Sequence, residues 1–255
     1  MDVALALTGL AVGLTVGVTG VGGGSLMTPA LIGLFRIPPA VAVGTDLAFA
    51  AITKAVGTGA NARRGRIDRR VAGLLMAGSL PACVAALGWL WWAGGTSGTG
   101  SVLRTAIGCS LLLTCGALLW RDRLLAWSAS VSATPDPAWR DAATVGAGVL
   151  IGTLVALSSI GAGAVGCVAI AMLHPRLQAR EVAATDLAYA VPLTAIASVG
   201  HGLAGHIDWS LLATLLAGSV PGVLIGTRLS GRLPDAVVRR LLAGVLALAA
   251  AKTMA

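Results

Sequence analysis

Thr45-Asp46-Leu47-Ala48, Gly65-Arg66-Ile67-Asp68 and Gly78-Ser79-Leu80-Pro81 return 140 residues later as Thr185-Asp186-Leu187-Ala188, Gly205-His206-Ile207-Asp208 and Gly218-Ser219-Val220-Pro221. From Thr45 to Pro81, 14 of 37 positions match their partner 140 further on, without a gap. Both copies lie in apolar sequence. Two similar halves in a lipid-soluble chain are a common way to build a transporter, with the binding site between the halves.

The rest of the chain has the same solvent preference. Hydrophobic residues make up 56% of 255, charged residues 11%, and the mean hydropathy is +0.89. A soluble domain carries about 25% charge. A membrane β-barrel would alternate apolar and polar residues in segments of roughly ten, whereas these runs are unbroken and rich in Leu and Ala. The composition therefore implies an all-α, multi-pass membrane protein. The net charge of +8 comes from arginines in short loops between apolar runs, where the positive-inside rule puts them. Nucleic acid is not an expected partner. Cys83, Cys109, Cys115 and Cys167 all fall inside apolar runs and read as small buried hydrophobes. The start, Met1-Asp2-Val3-Ala4, has no positive n-region, so the first run is expected to belong to the mature protein.

Ten apolar segments follow: 3–19, 24–35, 40–60, 71–93, 102–120, 143–158, 162–173, 181–200, 209–228 and 236–253. They imply 8–10 transmembrane helices in two repeats, 1–120 and 142–255, joined by a cytoplasmic linker over 121–141. A straight crossing takes about 20 residues, so segments 24–35 and 162–173 are too short to cross alone. They occupy matching places in the halves, and each follows a glycine turn, Gly20–Gly24 and Gly161–Gly163. Such a pair is the best sequence pointer to a transporter's site.

Charge then orients the chain. If it reverses side at each segment, 14 cations fall on one side: five in 61–70, then Arg121, Arg123, Arg140, Arg176, Arg180, Arg228, Arg232, Arg239 and Arg240. Arg36, Arg104 and Lys252 fall on the other. The first side is expected to be cytoplasmic and both termini outside. Five segments per half is odd, so the repeats are expected to be inverted. Trp89, Trp91 and Trp92 suit the outer interface belt.

Ionisable residues inside membrane segments are costly and mark function by default. Here they are Asp46, Lys54 and Asp186. Lys54 lies eight residues past Asp46, about 12 Å along a helix, so the two do not pair directly along a regular helix. Its ammonium suits an anion in a central cavity; the alternative is structural pairing with a carboxylate or helix end. Thr45-Asp46 and Thr185-Asp186 suit proton carriage or substrate contact; the alternative is a helix N-cap. Gly22, Gly23 and Gly24, with Ser25, open the short second segment, and their backbone N–H groups could cradle an anion. The alternative there is close helix packing. His201 and His206 sit at the end of the eighth segment.

GVGGGSLMTP, AVGTDLAFAAITK and GRID, followed by ATDLAYA, GHID and GSVPG, resemble the TauE/SafE sulfite exporter family over essentially the whole chain. The resemblance implies movement of small sulfur-containing or carboxylated anions, such as sulfite, sulfoacetate or related organosulfonates, across the bacterial cytoplasmic membrane. The family motif carries over onto Gly22, Gly23, Gly24, Pro29, Thr45, Asp46, Gly65 and Asp68, and in the second half onto Thr185, Asp186, Gly205 and Asp208. Ala162 and Ala164 stand where the second glycine motif has glycines. The expected partners are a small anion, the bilayer, a coupling proton or Na⁺, and a second copy in a homodimer, with no cofactor and no metal.

Two other readings compete. A divalent-metal permease calls for mid-membrane His, Asp and Cys clusters, which the sequence does not show. An intramembrane serine hydrolase would use Ser25 with His201 or His206, but Ser25 is not followed by glycine.

Overall fold

The computed structural model describes residues 2–19, 24–62, 67–93, 99–120, 123 and 137–229. Among them all regular structure is helical: α1 (Asp2–Thr19), α2 (Gly24–Gly33), α3 (Pro39–Ala62), α4 (Arg69–Ala93), α5 (Thr99–Leu119), α6 (Pro137–Ser158), α7 (Ala164–Leu173), α8 (Ala179–Leu203) and α9 (Trp209–Leu229). Gly22, Gly23, Gly65, Arg66, the expected tenth segment and most of the expected linker lie outside the described residues. Five helices contain stretches long and apolar enough to cross a membrane: Pro39–Gly59, Arg69–Trp92, Ala138–Ser158, Arg180–Leu203 and Trp209–Gly226. The chain is a multi-pass, all-α membrane protein.

The 140-residue period survives into the helices. α2 and α7 match end to end, and α3 with α8 and α4 with α9 start in step. Local chemistry explains the starts of α4 and α9. Asp68 Oδ1 accepts from the N–H groups of Arg70 and Val71, both at 3.0 Å. Asp208 Oδ1 accepts from Leu211 N–H at 2.9 Å. The aspartate of each G-x-I-D motif is thus an N-cap, satisfying donors that a helix start leaves free. α8 begins with a capping box, in which the Glu181 carboxylate accepts from Gln178 N–H at 2.8 Å. α6 begins at Pro137, inside the stretch read as linker; proline at the first helical position loses no hydrogen bond.

The halves are interlocked. The most extensive pairings are α1 with α9 and α6 with α4, so the first long helix of each half packs on the fourth helix of the other. Glycines permit it. A Cβ on Gly9 or Gly13 would strike the carbonyl oxygens of Leu215 and Ser219, and one on Gly148 or Gly152 would strike those of Leu75 and Ser79. Lipid gives helices no hydrophobic reason to associate, so close backbone approach through small residues supplies the contact. Gly9-x-x-x-Gly13 and Gly148-x-x-x-Gly152 are spaced 139 apart, not 140, so one extra residue enters the second half between α6 and α7.

α3 and α8 lie together at the centre. Thr45 Oγ1 accepts from Asp208 N–H at 3.1 Å, and Thr185 Oγ1 accepts from Asp68 N–H at 3.0 Å. The beginning of each central helix therefore meets the turn beyond the end of the other, and the two run antiparallel.

Candidate functional site

α6 ends in a sharp break. Ser159, Gly161 and Gly163 have φ of 60°, 133° and 130°, and at the two glycine values an L side chain would be strained. Ser158 holds the break: its hydroxyl donates to Leu154 O at 2.6 Å and accepts from Ile160 N–H at 3.2 Å. The turn aims the Ala162 carbonyl at α3, where Lys54 Nζ donates to it at 3.2 Å.

Around that ammonium the expected residues converge. Asp46 and Asp186 are fully buried and Lys54 is 2% exposed. Asp186 is the strongest electrostatic partner of Lys54 and Asp46 the next, yet neither carboxylate is in ion-pair contact with it among the described residues. Thr28 of α2 donates to Asp46 Oδ2 at 2.5 Å, and the Ser159 hydroxyl stands near the same carboxylate, outside hydrogen-bond geometry. Asp186 is packed differently. Gly166 of α7 leaves no room for a Cβ because Asp186 Oδ1 and the Tyr189 hydroxyl occupy that space. Tyr189 OH and Gly163 N–H lie close to the Asp186 carboxylate, again outside hydrogen-bond geometry.

Among the described residues, Asp46 Oδ1, both oxygens of Asp186, Tyr189 OH and Ser159 Oγ have no hydrogen-bond partner. Buried polar atoms are normally paired. Five orphans around one buried ammonium form a polar centre in the middle of an apolar chain.

The N-cap alternative for the Thr-Asp motifs fails. Asp46 and Asp186 each stand eighth in their helices, and capping falls to Asp68 and Asp208. The threonines serve elsewhere, as the acceptors that join the halves. Of the glycine turn, Gly24 and Ser25 open α2, while Gly22 and Gly23 lie outside the described residues. The partner of Lys54 comes instead from the second-half turn, at the Ala162 that replaces a motif glycine.

Thr28, Ser159 and Tyr189 belong to this polar centre, and the sequence reading missed them. Tyr189 carried a signal: it is the one tyrosine in the chain, placed where the first half has Phe49. The histidines sit apart from this centre. His201 is buried, with Nε2 2.9 Å from Ala156 O, and its Nδ1 lies 3.4 Å from His206 Nδ1. A carbonyl only accepts, so Nε2 carries the His201 proton and His206 Nδ1 donates. Burial pushes His206 below the usual histidine range. Among the described residues no three His, Cys, Asp or Glu side chains gather as a metal site requires.

Comparison with known proteins agrees with the architecture. "Probable membrane transporter protein YjnA" of Bacillus subtilis (strain 168) is 34% identical over 223 residues, 85% of each chain. "Probable membrane transporter protein YdhB" of the same organism is 29% identical over 208 residues, 80% of each chain. No solved structure matches the chain. The model of the sulfite exporter TauE/SafE family matches residues 5–253, so the chain belongs to the TauE/SafE family of membrane transporters.

Proposed function

We propose that this protein is a secondary carrier for small sulfur-containing or carboxylated anions, working by alternating access between two inverted halves in the bacterial inner membrane. The observation that carries this reading is Lys54. It is a buried ammonium between the halves, near two carboxylates that form no contact pair with it, surrounded by orphaned polar atoms. Leaving an ionised group in that state costs free energy, and an oxyanion accepting from Nζ through charge-assisted bonds offsets the cost. Ser159 and Tyr189, whose hydroxyls have no partner among the described residues, supply donors for the remaining oxygens. The antiparallel run of α3 and α8 supports the inverted arrangement, because equivalent helices of inverted repeats must point opposite ways.

The test is a thermal-shift screen of purified protein against sulfite, methanesulfonate, isethionate and sulfoacetate, since a ligand bound only by the folded state raises the melting temperature. Lys54→Ala should weaken binding at least about tenfold, or about 1.4 kcal/mol. Lys54→Arg, which keeps the charge with a different shape, should be intermediate. Unchanged affinity in Lys54→Ala, with a large loss of apo stability, would make Lys54 a scaffold residue and reject the reading.

A further inference from the structure

The charges at the centre do not balance for an anion arriving alone. With both carboxylates ionised, Asp46, Lys54 and Asp186 sum to one negative charge. A sulfonate would add another inside a low-dielectric site, where like charges repel strongly. Among the described residues these three are the only buried acidic or ammonium side chains. The other titratable groups facing them are Tyr189 on α8 and Cys167 on α7. His201, also buried, stands at the far end of α8.

The two carboxylates differ in what holds them. Asp46 keeps the Thr28 hydroxyl at 2.5 Å. Neither oxygen of Asp186 accepts a hydrogen bond among the described residues, and the one cation facing it there is Lys54, which makes no contact pair with it. An anion must take the Lys54 ammonium, and Asp186 then loses that partner. An unpaired buried carboxylate is costly; the least costly replacement for Lys54 is a proton.

We propose that anion and proton occupy the site together, the anion on Lys54 and the proton on Asp186. This rests on the carrier reading above and gives it a coupling ion. The proton comes from water on the side from which the anion enters, and an O–H bond forms at a carboxylate oxygen of Asp186. With a monovalent sulfonate the loaded centre carries one negative charge, the same as the empty one. The cycle therefore moves one proton with each anion, and crossing adds no net charge. The second half supplies the proton site and the first half the ammonium, since Thr194 stands where Lys54 would repeat.

The experiment is calorimetric titration of the purified protein with methanesulfonate, isethionate and sulfoacetate, none of which titrates near neutral pH. Each is run in two buffers of different ionisation enthalpy, which counts the protons taken up. At a pH above the titration of Asp186 in the empty site, the expected result is about one proton per anion, with affinity rising about tenfold for each unit that pH falls within that window. Asp186→Asn should bind without proton uptake and with a flat pH profile. Binding without uptake by the unmodified protein overturns the coupling and leaves the carrier reading standing. Uptake that persists in Asp186→Asn overturns the assignment to Asp186. No binding of any of the three anions overturns the carrier reading and the coupling with it. The unmodified protein's proton count needs no variant, so the coupling remains falsifiable if Asp186→Asn does not fold.

Discussion

Thr45 and Thr185 show how one residue type serves both repeats by reaching out of its own. Each hydroxyl oxygen accepts the backbone N–H of an aspartate in the other half, at 3.1 and 3.0 Å. Each aspartate in turn caps the next helix of its own half, through Asp208 Oδ1 and Asp68 Oδ1. Removing the acceptor leaves a partly buried N–H unpaired. Thr45→Val and Thr185→Val should each cost about 1–3 kcal/mol. Because the two bonds sit at opposite ends of α3, the double variant should lose close to the sum. Unfolding titrations of the four proteins check this; a pair of neutral single variants would show that the bonds do not hold the halves together. The sequence made these threonines conspicuous by repetition. It could not say that they reach outward to the other half, because their partners are 163 and 117 residues away.

At the scale of the helix, glycine placement decides which helices can touch. Gly152 and Gly146 lie on the same helix, α6. A Cβ at Gly152 would meet the Ser79 carbonyl oxygen, whereas one at Gly146 would meet nothing within 4 Å. Gly152→Ala should lower stability by about 1–3 kcal/mol, the usual cost of overpacking. Gly146→Ala should be neutral or slightly stabilising, since alanine is the better helix former. Melting temperatures of the two variants in one detergent give the comparison, and equal shifts would contradict the packing described here. The short helices were legible from apolar length and the glycine turns before them. The G-x-x-x-G pairs of α1 and α6 were equally readable, and they mark the α1–α9 and α6–α4 contacts that the sequence reading did not draw.

For the whole molecule the question is which turns share a side of the membrane. α3 has 24 residues and spans about 36 Å at 1.5 Å per residue. Asp208 meets its beginning, and Asp68 follows its end. The turns before α9 and α4 therefore lie at opposite ends of the central helix pair. With Cys83, Cys109, Cys115 and Cys167 replaced, cysteines at Arg69 and Ala204, both exposed positions, should behave oppositely. An impermeant thiol reagent outside intact cells should label Ala204→Cys and spare Arg69→Cys. Labelling of both would reject the inverted topology, and labelling of Arg69→Cys alone would reject its orientation.

The helical class, the duplication, the two short helices and the intramembrane Asp46, Lys54 and Asp186 were all legible in the linear chain. They follow from local quantities: apolar length, glycine turns, and the cost of a charge in lipid. What surrounds those charges was not local. Lys54 meets a carbonyl 108 residues away. Asp186 lies in the space left by Gly166. The caps belong to Asp68 and Asp208, not to Asp46 and Asp186, because position within a helix settles whether an aspartate meets free N–H groups. Only the packing of one half into the other brings Asp186 toward Lys54 and leaves it without a hydrogen bond among the described residues.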